Sequence, residues 1–264
     1  MARPTIALVS DFGTRDHYAG VMKGVILTIC PDVTLVDVTH DLPAHDIPFA
    51  ARELAATYKY FPPGTIFLVV VDPGVGSARR GIAADTGDYR FVAPDNGVLT
   101  AVLHEVPPRK VVELTERRYG RPTVSRTFEG RDRFAPAAAW LAKGIQLPAL
   151  GRPVSDIVQI PLVQPVAERD RITGAVVRID RFGNVVTNID RRLCEKLDPA
   201  GEGLRIVIGD ASIEHIVATY TDIAAGDICG LYGSTDHLEC AAQSASAADM
   251  LGVVVGTPVV VTRR

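Results

Sequence analysis

Residues 66–71 (IFLVVV) are apolar at every position. A strand with one solvent-exposed face alternates apolar and polar residues. A strand that is apolar throughout is typical of the centre of a parallel sheet with helices on both faces. The run is far shorter than the roughly 20 apolar residues that a membrane-spanning helix needs. It therefore indicates an α/β fold built around a covered sheet.

The surrounding sequence alternates short β-rich runs with helical patterns, as such a fold requires. We predict further strands at residues 5–9, 34–39, 89–93 and 110–113, and helices at 16–30, 46–60, 97–105 and 134–143. This alternation covers the first 145 residues.

The composition then changes. Pro148, Pro153, Pro161 and Pro165 interrupt residues 144–172, where we place a linker. Beyond it, turns rich in Gly and Asp separate strand candidates at 174–179, 184–188, 204–208, 213–218, 227–232 and 258–262, with one short helix at 244–251. We therefore predict an amino-terminal α/β domain with a mainly parallel central sheet (residues 1–160) and a smaller carboxy-terminal antiparallel β-barrel domain (residues 161–264).

Charge and cysteine content exclude several classes of protein. The net charge of −3 and the scattered basic residues give no reason to expect nucleic acid or a membrane surface as a partner. The four cysteines lack C-x-x-C spacing, and the first twelve residues do not resemble a signal peptide. These features predict a cytoplasmic protein without a zinc site or disulfides.

Two carboxylates end predicted strands of the sheet, Asp11 after the first strand and Asp72 after the apolar run. Open α/β sheets bind ligands at the carboxyl ends of their strands, so the pair can face one crevice. The alternative is structural, with Asp11 capping the next helix and Asp72 opening a Pro-Gly turn.

Other motifs are weaker. Residues 74–77 (GVGS) lack the Lys-Ser/Thr ending of a phosphate-binding loop, and the metalloprotease and nucleophile-elbow motifs do not occur. His17, His40 and His45 show no metal-binding spacing and are expected to be surface or hydrogen-bonded core residues. Residues 178–189 (RIDRFGNVVTNI) are by themselves typical of a β-hairpin.

Seven segments taken together resemble one enzyme family. They are SDFGTRD (10–16), ICPDVTLVDVTHDLPAHDI (29–47), VVDPGVGSARR (70–80), VAPDNGVLT (92–100), FEGRDRFAPAAA (128–139), IDRFGNVVTNI (179–189) and YGSTDHLECA (232–241). In this order they resemble the S-adenosyl-L-methionine (SAM) hydroxide adenosyltransferases, SAM hydrolases related in fold to the fluorinating and chlorinating enzymes. The resemblance implies hydrolysis of SAM to adenosine and methionine with no metal or organic cofactor.

The resemblance also implies roles for individual residues. Asp11 matches the residue that holds the ribose hydroxyls, Phe182 and Asn184 match the adenine contacts, and Asp180 and Ser234 match groups that hold the amino-acid end of methionine. Asp72 and Arg79 match two of three residues that position the attacking water. The family implies a homotrimer whose sites lie between the amino domain of one subunit and the carboxy domain of the next.

One position departs from the family pattern. The family has histidine where this chain has Glu129, which thereby becomes the third member of the water-positioning set. Two alternatives remain open: a non-catalytic protein that binds SAM or adenosine, and halide-dependent adenosyl transfer in the same site. Asp72 argues against halide, because a carboxylate at the position of the nucleophile repels an anion. Glu129 can instead point away from the site and pair with Arg131 or Arg133.

Overall fold

The computed structural model describes residues 3–264. The chain divides into two compact units, Met1–Leu162 and Val163–Arg264. The expectation of an α/β fold followed by an antiparallel barrel is confirmed.

The amino-terminal unit contains a seven-stranded sheet in the order β2-β1-β3-β5-β4-β6-β7. Its strands are β1 (Thr5–Ser10), β2 (Thr34–Thr39), β3 (Ile66–Val70), β4 (Gly81–Asp85), β5 (Arg90–Pro94), β6 (Lys110–Leu114) and β7 (Gly151–Pro153). Strands β2, β1, β3 and β5 pair in parallel, β4 and β7 run against their neighbours, and β6 again runs with the first four. The sheet is therefore mainly parallel, as predicted.

Helices cover both faces of this sheet. They are α1 (Tyr18–Ile29), α2 (Ile47–Thr57), α3 (Thr100–Glu105) and α4 (Ala135–Ala142). Because side chains alternate along a strand, Leu68 of β3 packs in one apolar core with α1 and α4, whereas its neighbour Phe67 packs in a second core with α2 and α3. The apolar run that dominates the sequence thus serves two cores at once.

Several boundaries in this unit differ from the predictions. The helix predicted at 46–60 ends at Thr57 and continues as a 3₁₀ turn, and the helix predicted from 97 begins only at Thr100. Strand β4 was not predicted, because its sequence (GIAAD) is short and poor in β-branched residues. The predicted linker is wrong in its first and last parts, since β7 pairs with β6 at the sheet edge and residues 166–167 and 171–172 belong to strands of the second sheet.

The carboxy-terminal unit is an eight-stranded sheet in which the strand pairs are antiparallel. Its elements are β8 (Val166–Ala167), β9 (Arg171–Ile179), β10 (Val185–Asp190), α5 (Arg191–Leu197), β11 (Leu204–Ile208), β12 (Ala211–Ile213), β13 (Ile228–Tyr232), β14 (His237–Ala242), α6 (Ala247–Leu251) and β15 (Pro258–Arg263). The sheet runs from β12 at one end to β13 at the other, with β8 added to β9.

Backbone hydrogen bonds nearly close this sheet into a barrel. Gly230 of β13 donates to His215 O at 2.8 Å, and Val217 donates to Gly230 O at 2.9 Å, so the segment after β12 bridges the two ends. The strand predicted at 213–218 is wrong, because β12 ends at Ile213. Sequence reasoning also missed β14 and α5, and Asp190 caps α5 by accepting a hydrogen bond from Leu193 N at 2.8 Å.

Candidate active site

Two of the predicted acidic residues follow neighbouring strands of the amino-terminal sheet. Strands β1 and β3 are parallel, with Ser10 paired to Val70, so Asp11 and Asp72 leave the sheet at the same edge. The chain passes from β1 to β2 on one side and returns as β3 on the other. Such a reversal of strand order opens a crevice at the carboxyl ends of the strands, where α/β proteins bind ligands.

A pocket of about 210 Å³ lies at this edge. Its lining brings together three of the predicted residues, Asp11, Asp72 and Glu129, with Phe12, His45 and Phe128 among their neighbours. A second cleft of about 790 Å³ contains none of the predicted site residues; its lining includes five arginines and the end of β6. We place the candidate site in the smaller pocket because the acidic side chains converge there.

Arg79 connects two of these carboxylates. Its Nε donates to Asp72 Oδ1 at 2.7 Å and its Nη2 donates to Asp72 Oδ2, a two-pronged contact that suits the planar guanidinium. The same Nη2 donates to Glu129 Oε2 at 2.5 Å. The three side chains are at most 11 % exposed. Burial lowers the pKa of Arg79, but the hydrogen bonds and charges of Asp72 and Glu129 outweigh it and hold that pKa above its ordinary value.

Glu129 therefore points toward Asp72 and Arg79, and it also contacts a second arginine. Arg133 Nη1 lies 3.2 Å from both carboxylate oxygens of Glu129. The alternative pairing with Arg133 thus coexists with the contact to Arg79, while Arg131 pairs instead with the buried Asp132.

A π-helical turn, Gly130–Phe134, follows Glu129 and leads into α4. A Cβ at Gly130 would lie 3.2 Å from Met22 Sδ and 3.3 Å from Val70 Cγ1, closer than ordinary van der Waals contact. Glycine at this position lets the turn approach the end of β3, which brings Glu129 close to Asp72. Single π-turns within helices are often found at functional sites.

His45 is exposed at the surface, as expected, but the sequence did not predict that it lines the pocket beside Asp11. Its backbone has a φ of +66°, a left-handed conformation that few residues other than glycine adopt. In this conformation its N–H donates to Asp11 Oδ2 at 2.9 Å, while its imidazole stays exposed. Such a backbone conformation leaves no signal in the sequence.

The other histidines of this region behave as expected. His40 is buried, with Nδ1 2.6 Å from Ser10 Oγ and Nε2 3.1 Å from Asp37 Oδ1. The three residues resemble a Ser-His-Asp triad in composition, but Ser10 is fully buried and cannot meet a substrate. We interpret this group as a structural network beneath Asp11.

Three predicted residues of the carboxy-terminal unit share the turn between β9 and β10. Asp180 Oδ1 accepts hydrogen bonds from the backbone N–H groups of Phe182 and Asn184 at 2.8 and 2.9 Å, and its Oδ2 accepts one from Asn184 Nδ2 at 2.9 Å. Asp180 thus organises its own turn. Asn184 is buried, whereas Phe182 is 77 % exposed.

Ser234, the remaining predicted residue, is exposed in the turn between β13 and β14. Glu239 of β14 lies directly beneath that turn. Its carboxylate is so close to Gly233 that a Cβ at that position would clash with it. Burial raises the pKa of Glu239, Arg178 opposes this shift and Asp180 adds to it. Sequence reasoning did not single out Glu239, since a lone acidic residue in a strand does not reveal its burial.

Within residues 3–264, no three His, Cys, Asp or Glu side chains are grouped so that they could hold a metal ion. Across the same residues, every helix is too short or too polar to cross a membrane.

Comparisons with known proteins agree with the geometry. The SAM hydroxide adenosyltransferase N-terminal domain model matches residues 6–151, and the corresponding C-terminal domain model matches residues 174–260. An (R)-S-adenosyl-L-methionine hydrolase from Salinispora tropica is 40 % identical, with 98 % of each chain covered. A fluorinase from Actinopolyspora mzabensis is 30 % identical over 99 % of this chain and 98 % of its own.

Among solved structures, an uncharacterized conserved protein from Thermotoga maritima superposes with a TM-score of 0.93 at 35 % identity, covering 98 % of this chain and all of its own. The family models account for most of both units, and the hydrolase and the fluorinase match over 98 % and 99 % of this chain. The chain therefore belongs to the SAM hydroxide adenosyltransferase family.

Proposed function

We propose that this protein hydrolyses SAM to adenosine and L-methionine by in-line attack of water on the ribose 5′-carbon. The observation that carries the proposal is the buried group formed by Asp72, Arg79 and Glu129, whose two carboxylates line the same pocket as Asp11. Membership of the family supports it, since the relative from Salinispora tropica is named a hydrolase of the same compound.

Asp72 is the proton acceptor in this mechanism. The sulfonium already activates the 5′-carbon and methionine leaves as a neutral thioether, so the leaving group needs no general acid. The attacking water does need a base, and each oxygen of Asp72 has a second lone pair beyond the one that faces Arg79. Positioned proton transfer of this kind contributes roughly a hundred- to ten-thousandfold to a rate.

Arg79 and Glu129 orient that water. Arg79 fixes Asp72 through two donors and stabilises negative charge on the oxygen as the proton leaves. Glu129 offers a second acceptor on the other side of Arg79, in the position where the family has histidine. The mechanism calls for no metal or organic cofactor.

Asp11 binds the ribose hydroxyls in this proposal. The His45 N–H occupies one lone pair of its Oδ2, which leaves Oδ1 for a bidentate contact with the sugar. The pocket of about 210 Å³ is smaller than the roughly 300–1,000 Å³ of most small-molecule sites, so the domain of residues 1–160 encloses only part of SAM.

The rest of the ligand contacts come from the β-barrel domain, residues 161–264. Phe182 and Asn184 hold the adenine, and Asp180 and Ser234 hold the amino-acid end of methionine. We place these groups on a neighbouring subunit of a homotrimer, with the assembly in the cytoplasm. The free, buried state of all four cysteines is consistent with a reducing compartment.

One experiment distinguishes this function from its competitors. Purified protein is incubated with SAM in ¹⁸O-labelled water, with and without halide and chelator, and the products are identified by mass spectrometry. We expect adenosine labelled at the 5′-oxygen whether or not a chelator is present. A 5′-halogenated adenosine would instead establish halide transfer, binding without any product would establish a sensor, and unlabelled adenosine would refute attack by water.

A further inference from the structure

Arg133 joins the candidate site to the sheet. It lies four residues after Glu129, a spacing that places both side chains on one side of the helical turn. Its Nη1 contacts both oxygens of Glu129 at 3.2 Å, and its Nη2 donates to the Leu114 carbonyl at the end of β6 at 3.1 Å. The guanidinium is thus anchored to the backbone while it faces Glu129.

The charges around Arg79 show why this contact matters. Asp72 and Glu129 both bind Arg79, so two carboxylates would share one guanidinium if no other cation were present. Like charges at such close range repel, and the buried setting screens them little. Arg133 supplies the second positive charge and makes the group of two carboxylates and two guanidiniums neutral.

We propose that Arg133 is a positioning residue for Glu129 and that the pair acts together in place of the family histidine. Arg133 neutralises Glu129 and holds its carboxylate against Arg79, so that Asp72 alone meets the water as a base. The inference rests on the proposed function and extends it to a residue outside the predicted site.

A purely structural role for Arg133 is the competing explanation, since its bond to the Leu114 carbonyl would tie α4 to β6 in any case. The two explanations differ in whether the effect of Arg133 depends on Glu129. A double-mutant cycle measures that dependence. Arg133→Met is made both in the wild-type chain and in Glu129→His, where the side chain at 129 no longer needs a counter-charge.

In the wild-type chain we expect Arg133→Met to lower kcat roughly tenfold or more with KM changed less than about threefold, because the Glu129 carboxylate that orients the water is misplaced while ligand contacts remain. In Glu129→His the same substitution is expected to change kcat less than about twofold. Arg133→Lys keeps the charge but loses the planar fork that also reaches the Leu114 carbonyl, so we expect it to lower kcat less than Arg133→Met does. Arg117→Met, which removes an exposed arginine from the neighbouring cleft, is the matched control and should leave kcat unchanged.

Equal losses in both backgrounds, or no loss in either, would overturn the inference. If Arg133→Met does not fold by circular dichroism, the cycle is run with Arg133→Gln. A crystal structure of the variant gives a readout independent of activity, in which we expect Glu129 to have left Arg79. If the wild-type protein makes no adenosine, the proposed function fails, but a Glu129 still bound to Arg79 in the variant would separately refute the role of Arg133.

Discussion

The substitution Asp72→Asn separates chemistry from binding at the candidate site. Asparagine nearly preserves the shape of the side chain, and its remaining oxygen can still accept one hydrogen bond from Arg79. Its amide group cannot accept a proton. The amide NH₂ is a donor and would face the second N–H of Arg79, so that hydrogen bond is lost. The variant therefore loses the base and one charge-assisted bond while the pocket stays in place.

Two magnitudes follow from this geometry. Loss of the proton acceptor should slow turnover about a hundred- to ten-thousandfold, or roughly 2.7–5.5 kcal/mol in the barrier. Removing one partner of a buried ion pair usually costs about 3–5 kcal/mol of stability. Because Glu129 stays bound to Arg79 at 2.5 Å, we expect a smaller loss of about 1.5–3 kcal/mol, the range of one hydrogen bond to a charged group.

Adenosine formation measured by chromatography gives kcat, calorimetry gives the affinity for SAM, and urea unfolding gives stability. We expect the affinity to stay within about tenfold of wild type. Asp95→Asn is the matched control, because Asp95 is a buried carboxylate that pairs with Arg80 outside the pocket. Turnover of Asp72→Asn near the wild-type value, or an equal loss in Asp95→Asn, would refute the assignment of Asp72 as the base.

Three further predictions test the rest of the site. Asp11→Ala should weaken SAM binding by roughly 1.5–3 kcal/mol in calorimetry through the loss of charge-assisted bonds; an unchanged affinity would exclude its ribose role. Mixing inactive Asp72→Ala and Asn184→Ala chains under subunit exchange should restore part of the activity, because mixed trimers contain sites with neither lesion; a monomer in light scattering would rule this out. Burial raises the pKa of Glu239; the charge of Arg178 lowers this pKa and the charge of Asp180 raises it further. The protein is therefore more stable when Glu239 is protonated, and this stabilisation is lost as pH rises through the folded-state pKa. Glu239→Gln should therefore raise the unfolding free energy, relative to wild type, more at about pH 8 than at about pH 4, and a pH-independent difference in urea unfolding would contradict the argument.

Sequence reasoning predicted the regular part of the fold well. The all-apolar run of β3 and the alternation around it were enough to predict a covered, mainly parallel sheet. It failed where local sequence is weak: β4 and β7 are short, and pairing with their neighbours makes them strands. Segments of three to five residues carry too little sequence of their own to reveal this pairing.

The types and order of the candidate site residues were also readable from the sequence. Asp11 and Asp72 each follow a predicted strand, where an open α/β sheet binds its ligands, and the motif around Glu129 showed which residue replaces the family histidine. These conclusions need only residue identity and the positions of the strands along the chain, whereas the pairing of β1 with β3 came from the structure.

Only the tertiary structure decided how the side chains are arranged. In the folded protein Glu129 lies between Arg79 and Arg133. His45 has a left-handed backbone conformation in which its N–H donates to Asp11, and Asp180 accepts hydrogen bonds within its own turn. The sequence determined which charges this protein has and which strands they follow. Their partners were fixed by the packing of α4 against β3 and by backbone conformations at single residues, because both depend on contacts between segments that are far apart in the chain.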